Sequence, residues 1–279
     1  MRGLFLAAAL CLPLTAQAMD EEPWLGEELS VNGLVATTLQ SYHKVSTPTG
    51  TFQHKSTDAF VDLAAAMTFT TDWNISADLQ GAHTRERPFN FSRATLLGRY
   101  LLLDDIAGDP ISMTAGLSTS MPAHWTRTSL SMLYRAPVEW EGSLSFGKEL
   151  NVRTLWNWRF WGLVALGQGT EGSPWLRTRL NIEKNFPTQP VSPYRSSQQI
   201  KLVAELLHGM GSGNLTSASA FNGYGGIAYH AVDLGLKYGY TFPTSWGNLS
   251  AEYKHRFHAR NFPEQVNLLT LTYHFSLSF

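Results

Sequence analysis

Several groupings in this 279-residue chain are of residue types that do chemistry, and each can be weighed by where a backbone would send its side chains. His274-Phe275-Ser276 sets an imidazole two residues from a hydroxyl. A serine nucleophile acting on membrane lipid needs its base within hydrogen-bond reach and an acyl chain in front of it. Side chains alternate faces along a strand, so His274 and Ser276 share one face while Phe275 and Leu277 take the other. The pair then points away from lipid and reads as ordinary polar residues. His255-Arg256-Phe257-His258 suggests a metal site, but residues three apart on a regular strand face opposite ways, and the two rings do not converge. Asp58 and Asp62 share a face, as acid–base hydrolysis would want, yet no histidine can be tied to them from sequence. Gly209, Gly211 and Gly213 form a Gly-x-Gly-x-Gly run without the strand-to-helix context of a phosphate cradle, so they read as loop. No catalytic residue, metal ligand or cofactor is expected, and the chain reads as a protein without enzymatic activity.

A larger set of charges carries more information. Asp62 and Asp78 fall on the polar phase of alternating segments, together with Asp58. Further along come Arg93, Arg99, Arg135, Arg177 and Arg179. If all point into a closed barrel, one wall of the lumen is acidic and another rich in arginine. That arrangement would set a field across a pore and suit passage of small polar or anionic solutes. The alternative is that the charges pair across the interior and plug it, since buried charges without partners are costly.

What must position these charges is a set of strands. Trp73, Ile75, Ala77 and Leu79 are apolar against polar Asn74, Ser76, Asp78 and Gln80. The same alternation runs from Gly247 to Phe257 and from Leu269 to Phe279. Each segment is about the ten residues that a tilted strand needs to cross the hydrocarbon of a bilayer. Composition agrees: 15% of residues are charged, against roughly a quarter in soluble globular chains, while aromatics reach 12%. No segment after the N-terminal run approaches the 18 apolar residues that would mark a membrane helix. With 21 basic and 22 acidic residues, bulk charge does not point to nucleic acid. Arg2, the apolar run Leu4–Leu14 and the small residues around Ala16 and Ala18 read as a secretory signal with cleavage after Ala18. Cys11, the single cysteine, leaves with it.

The last strand carries a family resemblance. Tyr273, Phe275, Leu277 and terminal Phe279, all in phase, resemble the C-terminal assembly signal of bacterial outer-membrane β-barrel proteins. The resemblance implies folding into the outer membrane by the barrel assembly machinery, with outer-membrane lipid as the surrounding partner; it singles out no subfamily.

The fold expected is therefore all-β, a transmembrane antiparallel up-and-down barrel of about twelve strands, with fourteen possible. The organisation expected is a signal peptide over 1–18, a short arm over 19–28 and one barrel over 29–279. Strands are read at roughly 29–41, 57–69, 73–85, 90–103, 111–121, 127–136, 141–165, 174–184, 198–207, 225–242, 246–257 and 266–279. Segment 141–165 is one long strand or two. Turns at 71–72, 139–142 and 244–247 share a tryptophan near the next strand and are placed in the periplasm, because such barrels have short turns there. Segments 44–55 and 208–224, rich in Ser, Thr, Gly and Asn, are placed outside. The function expected is a narrow, porin-like channel without cofactor. The alternatives are a structural or adhesive barrel acting through its external loops, or an outer-membrane lipid hydrolase.

Overall fold

The computed structural model describes residues 21–152, 155–187, 196–243 and 247–278. The calls on the signal peptide, on Trp246 and on Phe279 lie outside these residues. Twelve long antiparallel strands form one sheet: β1 (Ser30–Thr47), β2 (Gly50–Thr70), β3 (Trp73–Thr84), β4 (Arg87–Leu103), β5 (Ser112–Pro122) and β6 (Glu139–Val152). They continue as β7 (Leu155–Gly169), β8 (Trp175–Pro187), β9 (Ser197–Gly209), β10 (His230–Thr241), β11 (Asn248–Arg260) and β12 (Asn267–Ser278). Each pairs with its neighbours in sequence, and β12 returns to β1 with Ser30 opposite Ser278 and Ser41 opposite Asn267. The sheet is closed, so no edge is left to recruit another chain.

One face of every strand is apolar and exposed. Leu63, Leu79, Leu117, Leu180, Leu202 and Leu271 are each about half accessible on a closed barrel, which is where lipid would lie. Trp73 and Tyr100 pack, tilted, at the rim that carries the termini, 4.9 Å between ring centres, where amphipathic rings favour a membrane interface. The outward band and closed sheet together make this a membrane-spanning barrel. The connections at the terminal rim include the two-residue turn 71–72, whereas 123–138 and 210–229 project from the opposite rim. Longer loops belong outside, which puts the terminal rim in the periplasm.

The count of twelve holds through two differences that offset each other. Segment 127–136 lies in the loop 123–138, which opens with a short 3-10 turn (His124–Thr128), while 141–165 is the hairpin β6–β7. Leu130, Met132, Tyr134 and Ala136 alternate like a strand but are buried inside the barrel. Because 127–136 does not cross the membrane, Glu139 and Trp140 begin β6 at the outer rim, so that turn is not periplasmic. Residues 44–55 form the ends of β1 and β2 around Pro48-Thr49 and extend beyond the barrel as paired strands. They are not the irregular loop expected.

The outer mouth is packed. Leu130 joins Leu215, Phe221 and Tyr224 of the 210–229 loop, along with Tyr42, Trp175, Tyr229 and Phe262, in one buried core. The two loops also join through their backbones, the Tyr224 N–H donating to the Tyr134 carbonyl at 2.7 Å. Gly211 and Gly213 are close-packed, since a Cβ on either would lie 2.3 and 2.7 Å from the Gly226 carbonyl oxygen. The glycine run thus serves close backbone approach in an ordered loop.

Candidate functional site

Inward parity brings most of the expected charges together. Arg93 comes from β4, Arg177 and Arg179 from β8, and Arg135 from the 123–138 loop; all four line one mid-lumen chamber of about 230 Å³. Asp78 on β3 lines it too. Asp62 and Arg99 face inward but do not line this chamber. Asp62 accepts from Gln80 Nε2 at 3.2 Å, and Arg99 donates through Nη1 to the Glu22 carbonyl at 2.9 Å. Arg135 was read on a strand and is instead held by the loop, its backbone N–H and its Nη1 donating to Glu139 at 2.8 and 3.3 Å.

The arginines do not form a bare cationic wall. Arg177 donates to Glu141 Oε1 through Nε at 3.1 Å and Nη2 at 2.6 Å. Arg179 lies 3.4 Å from Glu205, which Lys254 also approaches at 3.4 Å from β11. Arg93 and Arg135 share Glu139 at 3.7 and 3.3 Å. Arg135 further stacks on the Trp175 ring at 4.1 Å and donates to the Tyr229 hydroxyl at 2.7 Å. Glu139, Glu141 and Glu205 therefore neutralise much of the expected field. Asp62 Oδ2 and Asp78 Oδ1 have no hydrogen-bond partner among the described residues, so the lumen must solvate them or bear the cost of stranded acceptors.

Sequence reasoning expected a short N-terminal arm but did not send it into the lumen. Residues 21–25 lie inside the barrel, while 26–29 are exposed on the way to β1. Glu21 Oε2 meets Arg177 Nη2 at 2.5 Å. The Pro23 carbonyl accepts from Thr114 Oγ1 at 2.6 Å. Trp24 donates from Nε1 to Asp105 Oδ1 at 2.8 Å and packs with Trp161, Leu163 and Ala165 of β7. Beyond the arm lies a second chamber of about 260 Å³, lined by Glu22, Arg159, Glu183, Lys201, Lys237 and His274 among others. A third space of about 200 Å³ lies under the loops and shares Arg93 and Glu205 with the mid-lumen chamber.

Two other groupings resolve differently. His274 lines the periplasmic chamber, as parity requires. His258 does not obey simple parity: a bulge opposite Val232 and Asp233 inserts Phe257, so Arg256 faces inward while Phe257 and His258 are both exposed. His258 thereby meets His230, which in turn meets His208, at ring-centre distances of 5.5 and 5.8 Å. Among the described residues, no group of three His, Cys, Asp or Glu is arranged to hold a metal ion.

Solved structures share the barrel fold. A crystal structure of the COG4313 outer membrane channel from Pseudomonas putida F1 is similar at a TM-score of 0.57 and 10% identity, covering 94% of this chain and all of that one. The chain has the fold of an outer-membrane β-barrel. A NanC porin structure is similar at a TM-score of 0.50 and 9% identity, covering 86% of this chain and all of that one. No protein-family model and no curated protein matches the sequence.

Proposed function

We propose that this barrel resides in a bacterial outer membrane and acts as a narrow channel for passive passage of small polar solutes, anions included. The observation that carries the reading is a charged, partly empty lumen. A barrel kept only for structure gains nothing from three internal spaces of about 230, 260 and 200 Å³, each far larger than the ~10–15 Å³ that admits one water. Arg93, Arg135, Arg177, Arg179 and Asp78 border the first of them. Asp62 and Arg99 lie in the adjoining wall. Passage down a gradient through such a lumen needs no cofactor. Purified protein in a planar bilayer should show small, discrete conductance steps. Correctly folded protein that never conducts, with or without its N-terminal arm, would overturn the reading.

A second reading has one specific observation in its favour. The outer mouth holds a buried core of twelve residues drawn from strands and loops, more order than a simple diffusion pore requires. On that reading the loops form a binding or structural platform, and the folded protein would be electrically silent.

A further inference from the structure

The arm separates two chambers whose charge differs. With Glu21 seated, the mid-lumen chamber is bordered by four arginines against five carboxylates; without it, the described lining is balanced. The periplasmic chamber is bordered by Arg159, Lys201 and Lys237 against Glu22 and Glu183, so withdrawing Glu22 leaves it more positive. Among the described residues none borders both spaces, and Glu21 and Glu22 of the arm face one chamber each.

Its grip has two parts of different kind. Trp24 and the Pro23 carbonyl anchor the arm to the wall through Asp105 and Thr114. Glu21 holds on, among the described residues, through Arg177, which keeps a wall carboxylate, Glu141, on the same guanidinium. A planar guanidinium presents five donors and suits carboxylate or phosphate. The side of Arg177 that meets Glu21 thus has the chemistry of an anion site whose present occupant belongs to the chain itself.

We propose that Arg177 is an anion subsite for the carboxylate or phosphate group of a passing solute, and that Glu21 fills it as a tethered stand-in, keeping the two chambers apart until an anion takes its place. The inference rests on the channel reading and adds a ligand class and a gate to it. An incoming anion keeps Arg177 paired while Glu21 moves away, so the exchange leaves no bare charge in the lumen. Chloride lacks the paired oxygens that a guanidinium grips; succinate and inorganic phosphate have them.

The test compares wild type, Glu21→Gln and a Pro23→Cys/Thr114→Cys pair in planar bilayers in potassium chloride, with succinate or phosphate then added. Heat-modifiable gel mobility confirms that each is folded. Cys11 is the chain's only cysteine and falls in the predicted signal segment, so the introduced pair meets no native thiol in the mature protein. Wild type should be mostly closed in chloride and open severalfold more often with succinate or phosphate. Glu21→Gln should already be open in chloride and gain little from either anion. The oxidised cysteine pair should stay closed with both anions and recover its response on reduction. A Glu21→Gln channel that behaves as wild type overturns the proposal, as does an oxidised pair that responds as fully as the reduced one. Should wild type, Glu21→Gln and a chain lacking residues 21–26 all be silent, the channel reading itself falls and the gate with it.

Discussion

Arg179→Ala and Arg177→Ala should separate selectivity from gating. Both side chains leave the inward face of β8 and border the same chamber, and Arg177 is the one that meets Glu21 of the arm. Neither substitution strands its partner: Glu205 keeps Lys254, and Glu141 keeps the Trp175 indole N–H at 2.9 Å. The magnitude follows from Coulomb's law. A unit charge about 4 Å from a passing anion contributes about 1 kcal/mol at the dielectric of water and about 4 at an effective value of 20. Taking the lower figure for a hydrated lumen, loss of either arginine should cut the preference for anions over cations roughly fivefold at low salt. Arg179→Ala should do that alone. Arg177→Ala should also release Glu21 and raise the fraction of time spent open. In about 1 M salt, where the screening length is about 3 Å, the selectivity differences should shrink. The gating difference should persist, because the Arg177–Glu21 contact at 2.5 Å lies inside that length. Reversal potentials under a salt gradient and open fractions from single-channel records measure the two effects separately. An unmoved reversal potential in a conducting Arg179→Ala protein would discard the selectivity argument. Equal open fractions for the two variants would discard Arg177 as the residue that holds the arm.

Leu271 is about half exposed on the lipid face of β12 while Thr272 is buried on its inner face, so Leu271→Arg should cost roughly 2–4 kcal/mol and Thr272→Arg less; equal folding of the two into lipid vesicles would refute the phase. Burial pushes the Asp105 carboxyl up, but Ser112, the Glu149 N–H, Trp24 and Lys148 together hold it below its ordinary value of 3.8. A lowered carboxyl keeps its contribution above that range and loses it as pH falls through the folded value, so Trp24 anchorage should survive at pH 5 and fail only in stronger acid. An opening transition near pH 6, or one unaltered by Asp105→Ala, would contradict this. A Cβ on Gly225 would lie 2.1 Å from the Arg135 carbonyl oxygen, so Gly225→Ala should pry the two long loops apart at a cost of about 1–3 kcal/mol; unchanged resistance of those loops to protease would count against it. Deleting Phe279 should slow assembly in cells more than it weakens the folded barrel; equal surface levels of truncated and full-length protein would argue otherwise.

Strand alternation was legible because lipid and lumen impose opposite demands on successive residues. It misled where something other than lipid supplied the apolar side. Leu130, Met132, Tyr134 and Ala136 alternate because they face other loop residues and the upper strands, so a strand signal appeared where no strand partner exists. The β6–β7 hairpin was hidden for a different reason. Val152 pairs with Leu155, a register that by itself would switch which parity faces lipid. A bulge between Leu150 and Asn151, opposite Trp158 and Trp156, adds the residue that restores it. Phe146, Leu150, Trp158 and Phe160 are therefore all outward and all even-numbered, and the phase runs through the turn unbroken.

The same logic shows how much of the site could have been read. Parity sent Asp78, Arg93, Arg177 and Arg179 toward one chamber, because inward direction is a local property of each strand. Pairing is not local: Glu141 reaches Arg177 from β6 to β8, and Glu205 is shared between β8 and β11. Arg135 reached the chamber by a route that alternation does not encode, a loop folded into the lumen. The arm left one trace. Along β7, Val164 and Leu166 meet lipid, while Trp161, Leu163 and Ala165 face a lumen that is otherwise polar. An inward apolar stripe in a wet barrel needs a dry partner, and the partner is Trp24. Its indole then fixes the position of Glu21, three residues away, against Arg177. The doubly apolar run 161–166 is thus the mark in the sequence that something in the chain returns to the lumen, and the acidic pair Glu21-Glu22 beside Trp24 is what that return delivers.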